Sequence, residues 1–297
     1  MKHLLSICIL LSFSAFGQQE PISGMYWNNY SYFNPAMSGV NQKYEGNVTY
    51  RSQWDRVNGA PTTLFANYGM NLADKHGLGV NYVSETIGFT RSHRIKLNYN
   101  YQLKLDETRK LVFGTAFSFQ DFDISPTWTP PTTSHDPSLP VGFKSQNYAV
   151  DLGISYYGKN LIAGVSATQI PSNSNNSGNS SNSVTPAIPE SYSNRTHLFG
   201  NIRYHLRFLN QNYLILESQL RTDFVRYSQD FNVGYNWKNI LEAGIGYRTS
   251  DAVIVNLTGI IAKKYRIGYS YGYSLNKLSS VSQGSHEIAI GLRIPNT

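Results

Sequence analysis

The sequence predicts an all-β fold: a transmembrane antiparallel β-barrel of about fourteen strands, preceded by a non-barrel N-terminal segment. Three observations carry this prediction. Segments of about ten residues alternate bulky apolar and small or polar side chains with a period of two, the length of a tilted strand crossing a bilayer. Charged residues are only 14% of the 297, against roughly 25% in soluble proteins, while aromatics reach 13% with 22 tyrosines. Long and short connections fall on alternate strand ends, as in outer-membrane barrels.

The N-terminus comes first. Lys2, the apolar run Leu4 to Phe13 and the small-residue end Ala15-Phe16-Gly17 read as a secretory leader covering residues 1–17. Cys8, the single cysteine, lies within it, so the mature chain is expected to carry no disulfide and no thiolate site. Beyond the leader no apolar run approaches the ~18 residues of a membrane helix, and mean hydropathy is −0.35.

Residues 18–45 lack clean alternation and are dense in aromatics: Tyr26, Trp27, Tyr30, Tyr32 and Phe33, followed by Asn34-Pro35. Leaving such a segment in water would expose much apolar surface. It is therefore expected to pack into the periplasmic end of the barrel or partly plug it.

The barrel proper is expected over 46–297. Strands begin near Gly46, Thr62, Gly77, Thr90, Leu111, Asn147, Leu161, Thr196, Tyr213, Gln229, Ile240, Ala252, Tyr265 and Ser285. The fourth places Ile95, Leu97, Tyr99, Tyr101 and Leu103 on one face. The fifth does the same with Leu111, Phe113, Phe117 and Phe119, and the thirteenth with Tyr265, Ile267, Tyr269, Tyr271 and Tyr273. In a bilayer these faces point outward, with tyrosines at the interfaces. Long connections at 122–146 and 170–195 follow odd strands, and tight links such as 105–110, 157–160 and 262–264 follow even ones. That parity puts both termini in the periplasm and the long loops outside the cell. The first long loop carries Trp128, Pro130, Pro131, Pro137 and Pro140. The second carries a low-complexity serine–asparagine run expected to be mobile.

The inward faces carry both signs of charge. Basic positions are Arg51, Arg94, Lys96, Arg203, Arg221, Arg248, Arg266 and Arg293; acidic ones are Glu85, Asp151, Glu217, Asp230, Glu242 and Glu287. Opposite signs on neighbouring strands favour lateral pairing over a selective channel. Gly114, Gly153, Gly164, Gly234, Gly244, Gly246, Gly268 and Gly272 share this side. Such glycines serve either barrel curvature or the close approach of another backbone.

The formal charge of +7 is scattered, with Lys75, Arg109-Lys110 and Lys263-Lys264 in short turns. No basic helix or tail points to nucleic acid. The mature histidines (His76, His93, His135, His197, His205, His286) show no HExxH pattern, and no GxSxG motif occurs. Neither catalysis nor a metal or other cofactor is expected.

Two motifs carry a resemblance. The stretch MYWNNYSYFNPAMSGV with YRSQWDRVNGAPTTLFANY is similar to the signature of the PorP/SprF family, outer-membrane proteins of the type IX secretion system in Bacteroidota. The matching residues are Tyr32, Asn34, Pro35 and Gly39, then Arg51, Gln53, Trp54, Gly59, Ala60, Pro61 and Thr63; SHEIAIGLRI resembles the family's last strand. The chain departs from many outer-membrane barrels in ending Ile294-Pro295-Asn296-Thr297, without a terminal aromatic.

The resemblance implies a non-enzymatic barrel of the secretion and gliding machinery. Its partners would be outer-membrane lipid together with a secreted adhesin's C-terminal domain or periplasmic secretion components. The motif residues are expected to make plug or partner contacts, with Asn34, Pro35 and Trp54 seating the N-terminal segment. The barrel alone equally permits a transporter or porin for small or hydrophobic solutes.

Overall fold

The structure is a computed structural model that describes residues 20–73, 75–125, 143–177, 195–208 and 210–295. The expected leader, the proline-rich connection with Trp128 and His135, and most of the serine–asparagine run lie outside the described residues.

Fourteen antiparallel strands close into one barrel. They are β1 (Gln42–Ser52), β2 (Thr62–Leu72), β3 (His76–Ile87), β4 (Thr90–Lys104), β5 (Lys110–Ile124), β6 (Phe143–Tyr157) and β7 (Leu161–Ser177). They continue with β8 (His197–Arg207), β9 (Tyr213–Thr222), β10 (Tyr227–Trp237), β11 (Leu241–Arg248), β12 (Ala252–Ile261), β13 (Tyr265–Ser274) and β14 (Ser285–Pro295). Each strand pairs with its sequence neighbours, and β1 closes on β14 with Val48 opposite Ile290 and Arg51 opposite Glu287. Closure pairs each strand on both sides, the condition for crossing a bilayer without helices; beyond Thr168, β7 pairs with β6 alone among the described residues. No helix among the described residues is long and apolar enough to cross a membrane.

The period-two reading explains which face is which. On β4, Ile95, Leu97, Tyr99 and Tyr101 are exposed, while Arg94, Lys96, Asn98 and Asn100 are buried. On β13, Tyr265, Ile267, Tyr269 and Tyr273 are exposed, and Ser270 and Ser274 are buried. The molecule is thus apolar outside and polar inside, the inverse of a soluble sandwich.

Three strand limits differ from expectation. β1 begins at Gln42 rather than Gly46, because pairing with β14 reaches Pro295. β6 begins at Phe143 rather than Asn147. β7 runs on to Ser177, through residues expected to belong to a mobile loop. There the ladder with β6 (Ser145 opposite Asn176) uses backbone groups, which polar side chains do not disturb.

Connections after even strands are tight. Lys238-Asn239 and Ala262-Lys263 take positive φ at both positions, as a type I′ hairpin requires. In the β4–β5 turn, the amide of Thr108 and the side chain of Arg109 hold the Asp106 carboxyl down at about 2. These connections define a turn end. The opposite, loop end carries the longer ones, including a 3-10 turn at Lys277–Ser280.

Candidate functional site

The lumen is occupied by the chain's own N-terminal segment. Residues 20–41 form a 3-10 turn (Tyr26–Asn29), one α-helical turn (Tyr30–Phe33) and a second 3-10 turn (Pro35–Met37). Met25, Tyr26, Trp27, Tyr32, Phe33, Asn34, Ala36, Met37 and Val40 are all buried. The segment enters at the turn end, where β1 begins, and continues upward to Glu20, which pairs with Arg94 near the loop end of β4.

Such short turns leave most backbone carbonyls without an internal partner, and a buried orphan carbonyl is costly. Inward polar side chains of the barrel supply the donors. Asn98 donates to Ser31 O at 3.3 Å, Lys96 Nζ to Tyr32 O at 3.1 Å, and Ser166 Oγ to Phe33 O at 2.6 Å. Ser155 Oγ donates to Ala36 O at 2.8 Å, Asn100 to Ser38 O at 2.5 Å, and Lys110 Nζ to Val40 O at 2.7 Å. The donors come from β4, β5, β6 and β7, so the segment is held along one wall of the lumen.

Asn34-Pro35 is the hinge of this arrangement. Asn34 caps the second 3-10 turn, its Oδ1 accepting from the Ala36 amide at 2.9 Å, and Pro35 follows at the first position, where a missing N–H costs nothing. The same Asn34 amide donates to Ile154 O and Val165 O on β6 and β7, both at 3.3 Å. One side chain therefore shapes the segment and ties it to the wall.

The wall is thinned to receive it. A Cβ on Gly114 would stand 2.5 Å from the Pro35 carbonyl carbon, and one on Gly164 would stand 2.8 Å from Asn34 Nδ2. A Cβ on Gly153 would meet Asn34, and one on Gly268 would come 3.1 Å from Met25 Sδ. Gly234, Gly244, Gly246 and Gly272 instead face strand atoms. Half of the predicted inward glycines thus admit the segment, and half do not touch it. Gly69 and Gly77 also admit it, against Gly39 N and Ser38 O, and alternation did not single them out.

On the opposite wall, Glu287 of β14 gathers the other end of the segment. It accepts from Ser23 Oγ at 2.7 Å, Gly24 N at 2.7 Å and Met25 N at 2.9 Å, and pairs with Arg51 at 3.3 Å. Arg248 donates to Ser23 O at 2.8 Å and pairs with Asp230 at 2.6 Å. Aromatic contacts fill the space between: Tyr32 on Phe65 at 5.5 Å and Phe33 on Phe199 at 5.1 Å. Lys96 lies 4.1 Å over the Tyr32 ring and pairs with Asp151 at 2.7 Å.

Other lumen charges pair across the wall, Arg203 with Glu217 at 2.6 Å and Arg266 with Glu242 at 3.1 Å. They line no selective pore of one sign. An asparagine run across the wall (Asn47, Asn67, Asn81, Asn98) meets Asn29 of the segment, with Asn67 Nδ2 2.7 Å from Asn29 Oδ1.

The family-motif residues separate into two groups. Tyr32, Asn34, Pro35 and Gly39 lie in the segment, and Arg51 reaches it through Glu287. Gln53, Trp54, Gly59, Ala60 and Pro61 build the β1–β2 connection at the loop end. Gln53 N donates to Pro61 O at 2.9 Å, Trp54 N to Ser285 Oγ at 3.2 Å, and Gly88 N to Gly59 O at 2.9 Å. Trp54 shares no described hydrogen bond or ring contact with residues 20–41. Thr63 is the second residue of β2, with its hydroxyl against Glu85. Glu20 lies in the non-alternating stretch, and for Glu287 and the side chains that donate to the segment's carbonyls alternation shows only which way they point, so none of them is legible in the sequence as an anchor.

Among the described residues no group of His, Cys, Asp and Glu is arranged to hold a metal. His205 accepts from Arg203 Nε, and His197 bonds the Arg195 carbonyl.

A family model described as type IX secretion system membrane protein PorP/SprF matches residues 15–292. No curated protein matches the sequence. Among solved structures, the CymD monoaromatic hydrocarbon channel is similar at TM-score 0.52 and 11% identity, covering 95% of each chain. The Ralstonia pickettii toluene transporter TbuX is similar at TM-score 0.52 and 12% identity, over 88% of this chain and 92% of that one. The Acinetobacter baumannii outer membrane protein Omp33 aligns at TM-score 0.50 and 8% identity, over 86% and 100%. At these identities the likeness concerns the outer-membrane barrel fold alone.

Proposed function

The chain belongs to the PorP/SprF family of type IX secretion system membrane proteins, and on that premise we propose that it works as a plugged, non-enzymatic outer-membrane barrel that assists export or surface retention of a partner adhesin in the secretion and gliding machinery. The observation that carries this reading is the filled lumen. A solute channel needs a continuous wet path, whereas here the segment's carbonyls, aromatic rings and charges are bonded to walls on both sides. A barrel closed by its own chain is better suited to presenting surfaces than to conducting.

In this reading the leader is removed, the turn end faces the periplasm and the loop end faces the exterior. Tyr32, Asn34, Pro35, Gly39 and Arg51 hold the plug. Gln53, Trp54, Gly59, Ala60 and Pro61 stiffen an outer rim built from the β1–β2 and β13–β14 connections. The partner is a secreted adhesin's C-terminal domain or another type IX component.

The test is affinity capture of the tagged full-length barrel from crosslinked native membranes. Enrichment of a type IX component or an exported adhesin is expected. Recovery of neither, together with steady conductance in planar bilayers, would replace this reading with that of a transporter or porin.

A further inference from the structure

The segment does not fill the lumen evenly. The Pro35–Met37 turn is pressed toward β4, β5 and β6, and on the far side, at the turn end, it leaves an open cavity of about 260 Å³. Three guanidinium groups line that cavity: Arg203 from β8, Arg266 from β13 and Arg293 from β14. Glu45 is the one carboxylate in its lining, and it already accepts the Gly39 amide at 3.0 Å.

The three arginines are not equivalent. Arg203 is engaged by Glu217 and Arg266 by Glu242, and both carboxylates sit in the wall behind the lining. Arg293 has no carboxylate within 4 Å among the described residues. Its cross-strand partner Glu45 lies opposite it in the ladder without forming an ion pair. Trp27 and Tyr30 of the segment complete the lining on the side facing the arginines.

We propose that the turn-end cavity is a binding site for a single carboxylate group, carried either by an extended peptide or by a small organic acid. A guanidinium fork matches the two oxygens of a carboxylate. Arg293 is the guanidinium of the lining left without an ion pair, while Glu45 keeps the local charge near neutral. The site therefore offers guanidinium donors to a monoanion and would place a phosphate dianion against Glu45. The cavity opens at the end where β1 begins and β14 finishes, so an incoming chain could enter without displacing the segment.

This inference rests on the closed-lumen reading above, and the two can fail separately. Conductance by the intact chain would sink that reading, while absence of carboxylate binding by a non-conducting barrel would sink only this one. The experiment is isothermal titration of the full chain in detergent with four probes: a capped hexapeptide containing one glutamate, the same peptide with glutamine, butyrate, and inorganic phosphate. The glutamate peptide or butyrate is expected to bind at least tenfold tighter than the glutamine peptide. Binding of the peptide alone would assign a peptide source, and comparable binding of butyrate a small-acid source. Arg293→Gln should weaken binding about tenfold with unchanged heat-modifiable migration, and Arg293→Lys should restore part of it. Equal binding of the glutamine peptide, tighter binding of inorganic phosphate, no binding at all, or indifference to both Arg293 variants would overturn the proposal.

Discussion

Gly114 of β5 lies directly against Pro35 of the N-terminal segment: a Cβ on that glycine would stand 2.5 Å from the Pro35 carbonyl carbon. The wall and the plug are fitted to each other at backbone level, so the wall's side-chain volume should control plug seating. Valine suits a strand and should leave the barrel closed. Gly114→Val is therefore expected to keep heat-modifiable migration while raising protease cleavage within 20–41. Unchanged cleavage would show that the segment has room to spare.

Glu287 is the anchor of the segment's other end. Removing it as Glu287→Ala leaves Arg51 buried without its partner and three donors at Ser23, Gly24 and Met25 unmatched. Breaking a buried pair by removing one side costs about 3–5 kcal/mol. A lower unfolding midpoint in urea is expected, with partial recovery in a double variant that also replaces Arg51 by Met. A midpoint equal to that of the parent chain would contradict the assignment.

Asn34→Asp separates two roles of one side chain. The carboxylate still accepts the Ala36 amide, but it loses the donor to Ile154 O and Val165 O and sets a charge against those carbonyls. Leaving such groups unsatisfied costs about 1–3 kcal/mol. Faster hydrogen exchange is expected in 30–40, with the β4–β5 ladder unaffected. Exchange rising equally across the barrel would mean that Asn34 matters to the fold rather than to the plug.

Gly59 belongs to the rim at the loop end. It has φ +73, a conformation that costs other L-residues about 1–2 kcal/mol, and its carbonyl accepts from Gly88 N at 2.9 Å. Gly59→Ala should loosen the β1–β2 connection and raise proteolysis near residues 53–61 without opening the lumen. Trp54→Ala should act in the same place, since its amide bonds Ser285 and it shares no described hydrogen bond or ring contact with the plug. Increased conductance in either variant would tie the second motif to the plug after all.

The barrel was legible because lipid and lumen impose opposite demands on successive residues. Leu97 and Asn98 could not exchange places, and that constraint is written into the chain every second residue. Strand limits were less legible where backbone pairing continues through polar residues, as in β7 up to Ser177. The plug was legible only as an aromatic, non-alternating stretch. Its place in the lumen depends on contacts such as Asn34 to Val165, which lie 131 residues apart and leave no periodicity. The inward glycines could be seen, but curvature and close approach look alike in sequence. Only the three-dimensional fit separates Gly114 and Gly153 from Gly234 and Gly272.

The most direct test of the plugged barrel is single-channel recording in planar bilayers of the intact barrel beside a variant lacking residues 20–40. The intact chain should show no steady conductance, and the deletion should open a lasting pore while retaining heat-modifiable migration. A steady porin-like conductance from the intact chain, unchanged by the deletion, would contradict the account.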